Sequence, residues 1–157
     1  MLPKTYVETS VISYLTARTS RDEIASAHQR LTRDWWDRRR VRFDIYVSEL
    51  VVQESSRGDT LAARVRLEAI SGYPVLLINP VAQALAETIL RRGVLPSKAA
   101  ADALHIALAA VNGMNFLVTW NCTHIANGFI LESVNTLCRD AGFEPPIVCT
   151  PEELMEG

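Results

Sequence analysis

The chain has 157 residues, 48% of them hydrophobic and 22% charged, with a formal net charge of −2. That length fits one domain with a proper core, read as a single domain over residues 1–157. The balance excludes a global basic field, so nucleic-acid binding would need a local patch, and no apolar run approaches the ~20 residues of a membrane span.

Three cysteines, Cys122, Cys138 and Cys149, are odd in number and lack C-x-x-C spacing. This argues against a disulfide framework and a zinc site, and the expected compartment is the cytoplasm. The opening MLPKTYVETS reads as a strand rather than a signal peptide.

In chain order, Lys4 to Val7 is a first strand. Glu8 follows at once, and Thr9-Ser10 offers a cap for a helix VISYLTA. After a polar break, Arg21 to Arg40 reads as one long helix with Ile24, His28, Leu31 and Trp35 close to one face. Phe43 to Val47 is a second strand, and Ser48 caps a short helix, ELVVQESS. Asp59 or Thr60 caps the next helix, LAARVRLEAI. Pro74 to Ile78 is a third strand, apolar throughout, as strands buried on both faces are. Asn79-Pro80 caps and starts a helix that ends at Gly93.

Pro96 to Val111 is the stretch around which the chain is organised. Pro96 favours a helix start just after it, and Ser97 is a good cap. Ala, Leu and Ile then make the helix apolar on all sides, which marks it as buried. Asp102 sits inside it, and a buried carboxylate needs a partner, a helix dipole or a cation. Beyond the Asn112-Gly113 turn come a fourth strand, Phe116 to Thr119, and a short helical stretch, HIANGFI. A helix from Glu132 to Asp140, a fifth strand from Pro146 to Cys149 and a last helical turn complete the chain.

Strands alternating with helices imply an α/β fold: a mostly parallel sheet covered on both faces. Such sheets place their chemistry beyond the carboxyl ends of the strands, where strand order reverses. Glu8 follows the first strand, and Asn121 comes shortly after the fourth. Glu54 lies in the helix after the second strand, and Asp102 in the buried helix before the fourth. Glu49 falls in the first helical turn, where it is a natural dipole partner, so Glu54 is the preferred acid of that helix. His105 and His124 read as satisfied core or cap residues, and Trp35, Trp36 and Trp120 as packing. No G-x-G-x-x-G or Walker-type loop points to a nucleotide site.

YVETSVISYL at Tyr6 to Leu15, SELVVQE at Ser48 to Glu54, ADALHIALA at Ala101 to Ala109 and LVTWN at Leu117 to Asn121 stand in order along the chain. In this order they resemble the four motifs of PIN-domain proteins, and NCTHIAN is similar to a branch of VapC-type toxins. The family's first motif usually carries Asp where this chain has Glu8.

The resemblance implies a three-layer α/β/α sandwich with strand order 3-2-1-4-5. It implies metal-dependent hydrolysis of RNA phosphodiester bonds with Mg²⁺ or Mn²⁺. Glu8, Glu54 and Asp102 would be the metal ligands and, with Asn121, the catalytic set; Thr9 and Ser10 would lie nearby. Hard oxygen ligands suit such an ion, and carboxylates about 4 Å apart repel by about 4 kcal/mol at an effective dielectric near 20. The implied partners are an RNA substrate, met by basic residues such as Arg18, Arg21, Arg57 or Lys98, and a small antitoxin protein. The Trp35-Trp36 helix is a candidate dimer or antitoxin surface, with core packing as its alternative. The competing function is a PIN-like module that binds RNA or protein without cutting, motivated by the longer Glu8 side chain.

Overall fold

A computed structural model describes all 157 residues. Its strands are β1 (Lys4–Val7), β2 (Asp44–Ser48), β3 (Val75–Leu76), β4 (Phe116–Val118) and β5 (Ile147–Cys149). Its helices are α1 (Thr9–Thr16), α2 (Glu23–Arg38), α3 (Glu49–Ser55), α4 (Thr60–Ile70), α5 (Pro80–Arg91), α6 (Ala100–Val111) and α7 (Gly128–Asp140). Every pairing is parallel, and the strand order is β3-β2-β1-β4-β5. The helices flank this sheet in the three layers expected.

Local chemistry explains most boundaries. Side-chain oxygens of Asp22, Ser48, Asp59, Asn79 and Asn127 accept backbone N–H groups at the starts of α2, α3, α4, α5 and α7. Each such cap is worth about 1 kcal/mol. Pro80 supplies a preset φ at the first position of α5. The core joins Tyr6, Val7, Ile45 and Val47 of the sheet to Trp35, Ile89, Ile106 and Leu108 of the helices, all buried. Each fully buried Val, Ile or Leu contributes about 1.5–3 kcal/mol. Trp35 and Trp36 pack against Phe43 and Tyr73 respectively, so both belong to the core.

Several expectations need correction. β3 has two residues, and Val75 is 44% and Leu77 66% exposed. It is the sheet's edge, and an apolar run does not reveal whether its strand is central or terminal. Just beyond β3, Glu49 Oε1 accepts Ile78 N–H at 2.8 Å. The predicted Arg21–Arg40 helix begins at Glu23 and ends at Arg38. Ile24 is exposed while Gln29 is buried, donating to Arg18 O and accepting from Ser20 N. Ser97 is not a helix cap: Ser97–Ala99 is a 3-10 turn, and α6 starts at Ala100. Asp102 therefore lies in the first turn of α6. The HIANGFI stretch divides into turns up to Ala126 and the start of α7, which is longer than Glu132 to Asp140.

Candidate active site beyond the carboxyl ends of the strands

The register of β1 on β4 sets Val7 beside Val118. The next residues, Glu8 and Thr119, therefore lie side by side at the strand ends, where the order of strands reverses. Glu8 N donates to Val118 O at 3.0 Å. The Glu8 side chain is itself the N-cap of α1, the role expected of Thr9 or Ser10. It is 5% exposed, so its charge has to be met inside the protein. Three donors do so: Ser10 N on Oε2 at 3.0 Å, and the hydroxyls of Ser10 at 2.5 Å and Thr119 at 2.6 Å on Oε1.

The two hydroxyls have a second duty. Ser10 Oγ accepts Trp120 N–H at 2.9 Å, and Thr119 Oγ1 accepts Asn121 N–H at 2.9 Å. The segment after β4 is thus tied to the Glu8 carboxylate. Trp120 is anchored from the other side: its Nε1–H donates to Thr32 Oγ1 at 2.7 Å and its ring stacks on His28.

Glu54 enters from α3. Its Oε1 accepts the Thr9 hydroxyl at 2.7 Å and lies 2.6 Å from His105 Nε2. Burial raises the Glu54 pKa, but the hydrogen bond and charge of His105, the Thr9 hydrogen bond and the nearby Arg57 charge outweigh it and hold the carboxyl below its ordinary value. One ligand atom each of Glu8, Glu54 and His105 fall within 4.8 Å of one another. His105 rises from α6 and is 1% exposed. Beneath it Tyr6 Oη lies 2.6 Å from Nδ1 and 2.8 Å from Ser48 Oγ. Burial drives the Tyr6 phenol well above its usual pKa against the Ser48 hydrogen bond, and the Glu8 and Glu54 charges add to the rise, so it stays neutral.

Asp102 and Asn121 form the neighbouring half. Asp102 Oδ1 accepts Asn121 Nδ2 and Oδ2 meets His124 Nδ1, both at 2.9 Å. Asn121 Oδ1 accepts His124 N–H at 3.0 Å, so this amide oxygen serves its own loop. Asp102 is outside the close group of Glu8, Glu54 and His105. It is joined to that group through Asn121, Thr119 and Glu8. Glu8, Asn121 and Asp102 thus lie on one hydrogen-bonded chain, and Glu54 stands beside it, with His105 Nε2 2.6 Å from Glu54 Oε1 and 3.9 Å from Glu8 Oε2.

A family model of the PIN domain matches residues 5–121, well over half of the chain and the span that holds all four motifs. The chain belongs to the PIN-domain family. No curated relative matches it. PIN domains are typically metal-dependent nucleases, and the donor set here fits that chemistry. Ligand oxygens of two carboxylates lie within 4.8 Å of one another, Glu54 Oε2 makes no hydrogen bond within the chain, and Glu8 Oε2 makes only the one to Ser10 N. Hard oxygen atoms with free lone pairs are what Mg²⁺ or Mn²⁺ takes.

Reasoning from the sequence missed His105, Tyr6 and His124. Two signals for the first two were present. Tyr6 and Glu8 are two apart in an extended segment, so they share a face. Asp102 and His105 are three apart in a helix, so they too are neighbours. For His124 the sequence carries no signal, because its meeting with Asp102 depends on the path of the loop after β4.

Proposed function

We propose that the chain is a metal-dependent endoribonuclease that hydrolyses RNA phosphodiester bonds with Mg²⁺ or Mn²⁺, and that it is the toxin of a type II toxin–antitoxin pair. The observation that carries this reading is the convergence of Glu8 and Glu54, from separate elements, in a PIN-domain chain. Glu8, Glu54 and Asp102 would hold the ion. A bound divalent ion supplies positive charge to the phosphate and acidifies water for attack on phosphorus.

The remaining work falls to the chain. The Ser10 and Thr119 hydroxyls hold the Glu8 carboxyl group in place, and Asn121 sets the orientation of Asp102. Arg57 is exposed, and its guanidinium makes no hydrogen bond within the chain. Its charge is felt at Glu54, which suits it better than Arg18, Arg21 or Lys98 to meet a substrate phosphate. No helix is long and apolar enough to cross a membrane. A small antitoxin protein, a homodimer and a cytoplasmic location belong to the same reading.

The test is Mn²⁺-dependent cleavage of RNA, with DNA in parallel, by the unaltered protein and Asp102→Asn. The variant should lose cleavage, and expression of the active protein alone should arrest growth. Full activity in the variant ends the nuclease reading.

A second reading, a non-catalytic module binding RNA or protein, is favoured by Glu8 itself. Its side chain is one methylene longer than the usual Asp, and three protein donors already meet it. A cation at a hundred times its dissociation constant stabilises a fold by about 2.7 kcal/mol. No melting shift with Mn²⁺, together with retained RNA binding, would decide for the module.

A further inference from the structure

His105 and Tyr6 have no part in the hydrolysis described above, yet both are buried beneath the carboxylates. Their polar atoms stand in single file. Val51 N donates to Ser48 Oγ at 3.1 Å, and Ser48 Oγ lies 2.8 Å from Tyr6 Oη. Tyr6 Oη lies 2.6 Å from His105 Nδ1, and His105 Nε2 lies 2.6 Å from Glu54 Oε1.

The placement of the protons follows by counting donors and acceptors. Ser48 Oγ accepts Val51 N–H, and the single acceptor left for its own proton is Tyr6 Oη. Tyr6 then gives its proton to Nδ1. That nitrogen is bare, so Nε2 carries the proton and donates to Glu54 Oε1. If Nδ1 were protonated instead, Tyr6 would have to donate back to Ser48, whose own proton would have no acceptor. A buried hydroxyl so stranded costs about 1–3 kcal/mol.

We propose that His105 is a positioning residue: its ring, held with Nδ1 on the Ser48–Tyr6 relay and Nε2 on Glu54 Oε1, fixes Glu54 for the cation. The inference rests on the reading of Glu54 as a metal ligand. Thr9 donates to the same Oε1 from α1, so two donors on two elements restrain one oxygen and leave Oε2 for the ion. Partners that orient a ligand in this way are worth about 10–100-fold in metal affinity.

The test uses the full chain with ¹⁵N-labelled histidine. Proton–nitrogen correlation spectra should show His105 Nε2 still bearing its proton at saturating Mg²⁺. A proton lost from Nε2 when Mg²⁺ is added would make His105 a ligand and overturn the proposal. By calorimetry, His105→Ala should weaken Mn²⁺ binding about 10–100-fold. Tyr6→Phe, nearly equal in volume, should weaken it in the same direction while keeping the folded spectrum, and His105→Gln, which retains an amide donor, should recover part of the loss. Unchanged affinity in Tyr6→Phe and His105→Ala would overturn the role. An unaltered protein that binds no Mn²⁺ ends this proposal and the nuclease reading together, whereas loss of the Nε2 proton ends this one alone.

Discussion

The Thr119 hydroxyl donates to Glu8 Oε1 over 2.6 Å, although 111 positions separate the two residues. Thr119 Oγ1 in turn accepts Asn121 N–H. One side chain thus positions a candidate ligand and the loop that carries Asn121. Thr119→Val keeps the shape and deletes both bonds. It strands the Asn121 N–H and removes one donor from a buried carboxylate, at a cost of about 1–3 kcal/mol. For a chain of this size that corresponds to a melting temperature lower by several degrees, at about 2–4 °C per kcal/mol. Calorimetric melting checks it; an unchanged transition would show that the bond carries no stability.

Glu54 gives the metal-free protein a pH dependence whose sign is fixed. Burial raises its folded pKa, but the His105 hydrogen bond and charge, the Thr9 hydrogen bond and the Arg57 charge bring it below the ordinary 4.5. A depressed carboxyl contributes stability above the unfolded value and loses it as pH falls through the folded value. Glu54→Gln should therefore show a shallower loss of stability on the acid side of 4.5 than the unaltered protein. Equal slopes in denaturant melts across that window would contradict the assignment.

The three cysteines should separate by reactivity. Burial pushes Cys138 up to about 11 and Cys149 up to about 12, and both are buried, whereas Cys122 is exposed. Since the thiolate is the nucleophile, native protein should label once with a thiol reagent, at Cys122. That residue adjoins Asn121, so a bulky adduct there should slow cleavage. Peptide mapping of the label tests the first part, and rates before and after labelling test the second.

The exposed third strand offers a contrast within one sheet. Leu77 is 66% exposed just past β3, so Leu77→Lys should change stability by no more than about 0.5 kcal/mol. Trp35→Ala, at a fully buried position, should cost about 3–5 kcal/mol. Chemical denaturation of the two variants gives both numbers. A large loss in Leu77→Lys would mean that the edge is covered.

These residues also mark how far the sequence was legible. Strand order, the alternation of helix and strand, and the caps at Ser48 and Asn79 follow from local chemistry and the four motifs. The same motifs point to Glu8 and Glu54, which do lie together, whereas Asp102 stands outside that close group. β3 was misread because PVLLI looks alike at the centre and at the edge of a sheet. Asp102 lies in the first turn of α6 because the residues after Pro96 form a 3-10 turn first, and cap chemistry at Ser97 does not separate the two. His105 was read as a core histidine, which it is by burial. Its bond to Glu54 depends on how α3 and α6 pack, and no spacing in the sequence records that.

The account stands on a divalent cation between the carboxylates, and the most direct measurement is a crystal soaked in Mn²⁺ and read for anomalous density. The predicted result is a peak about 2.0–2.3 Å from carboxylate oxygens of Glu8 and Glu54, with Asp102 facing it. A map with no anomalous peak beside those carboxylates at saturating Mn²⁺ would contradict the account.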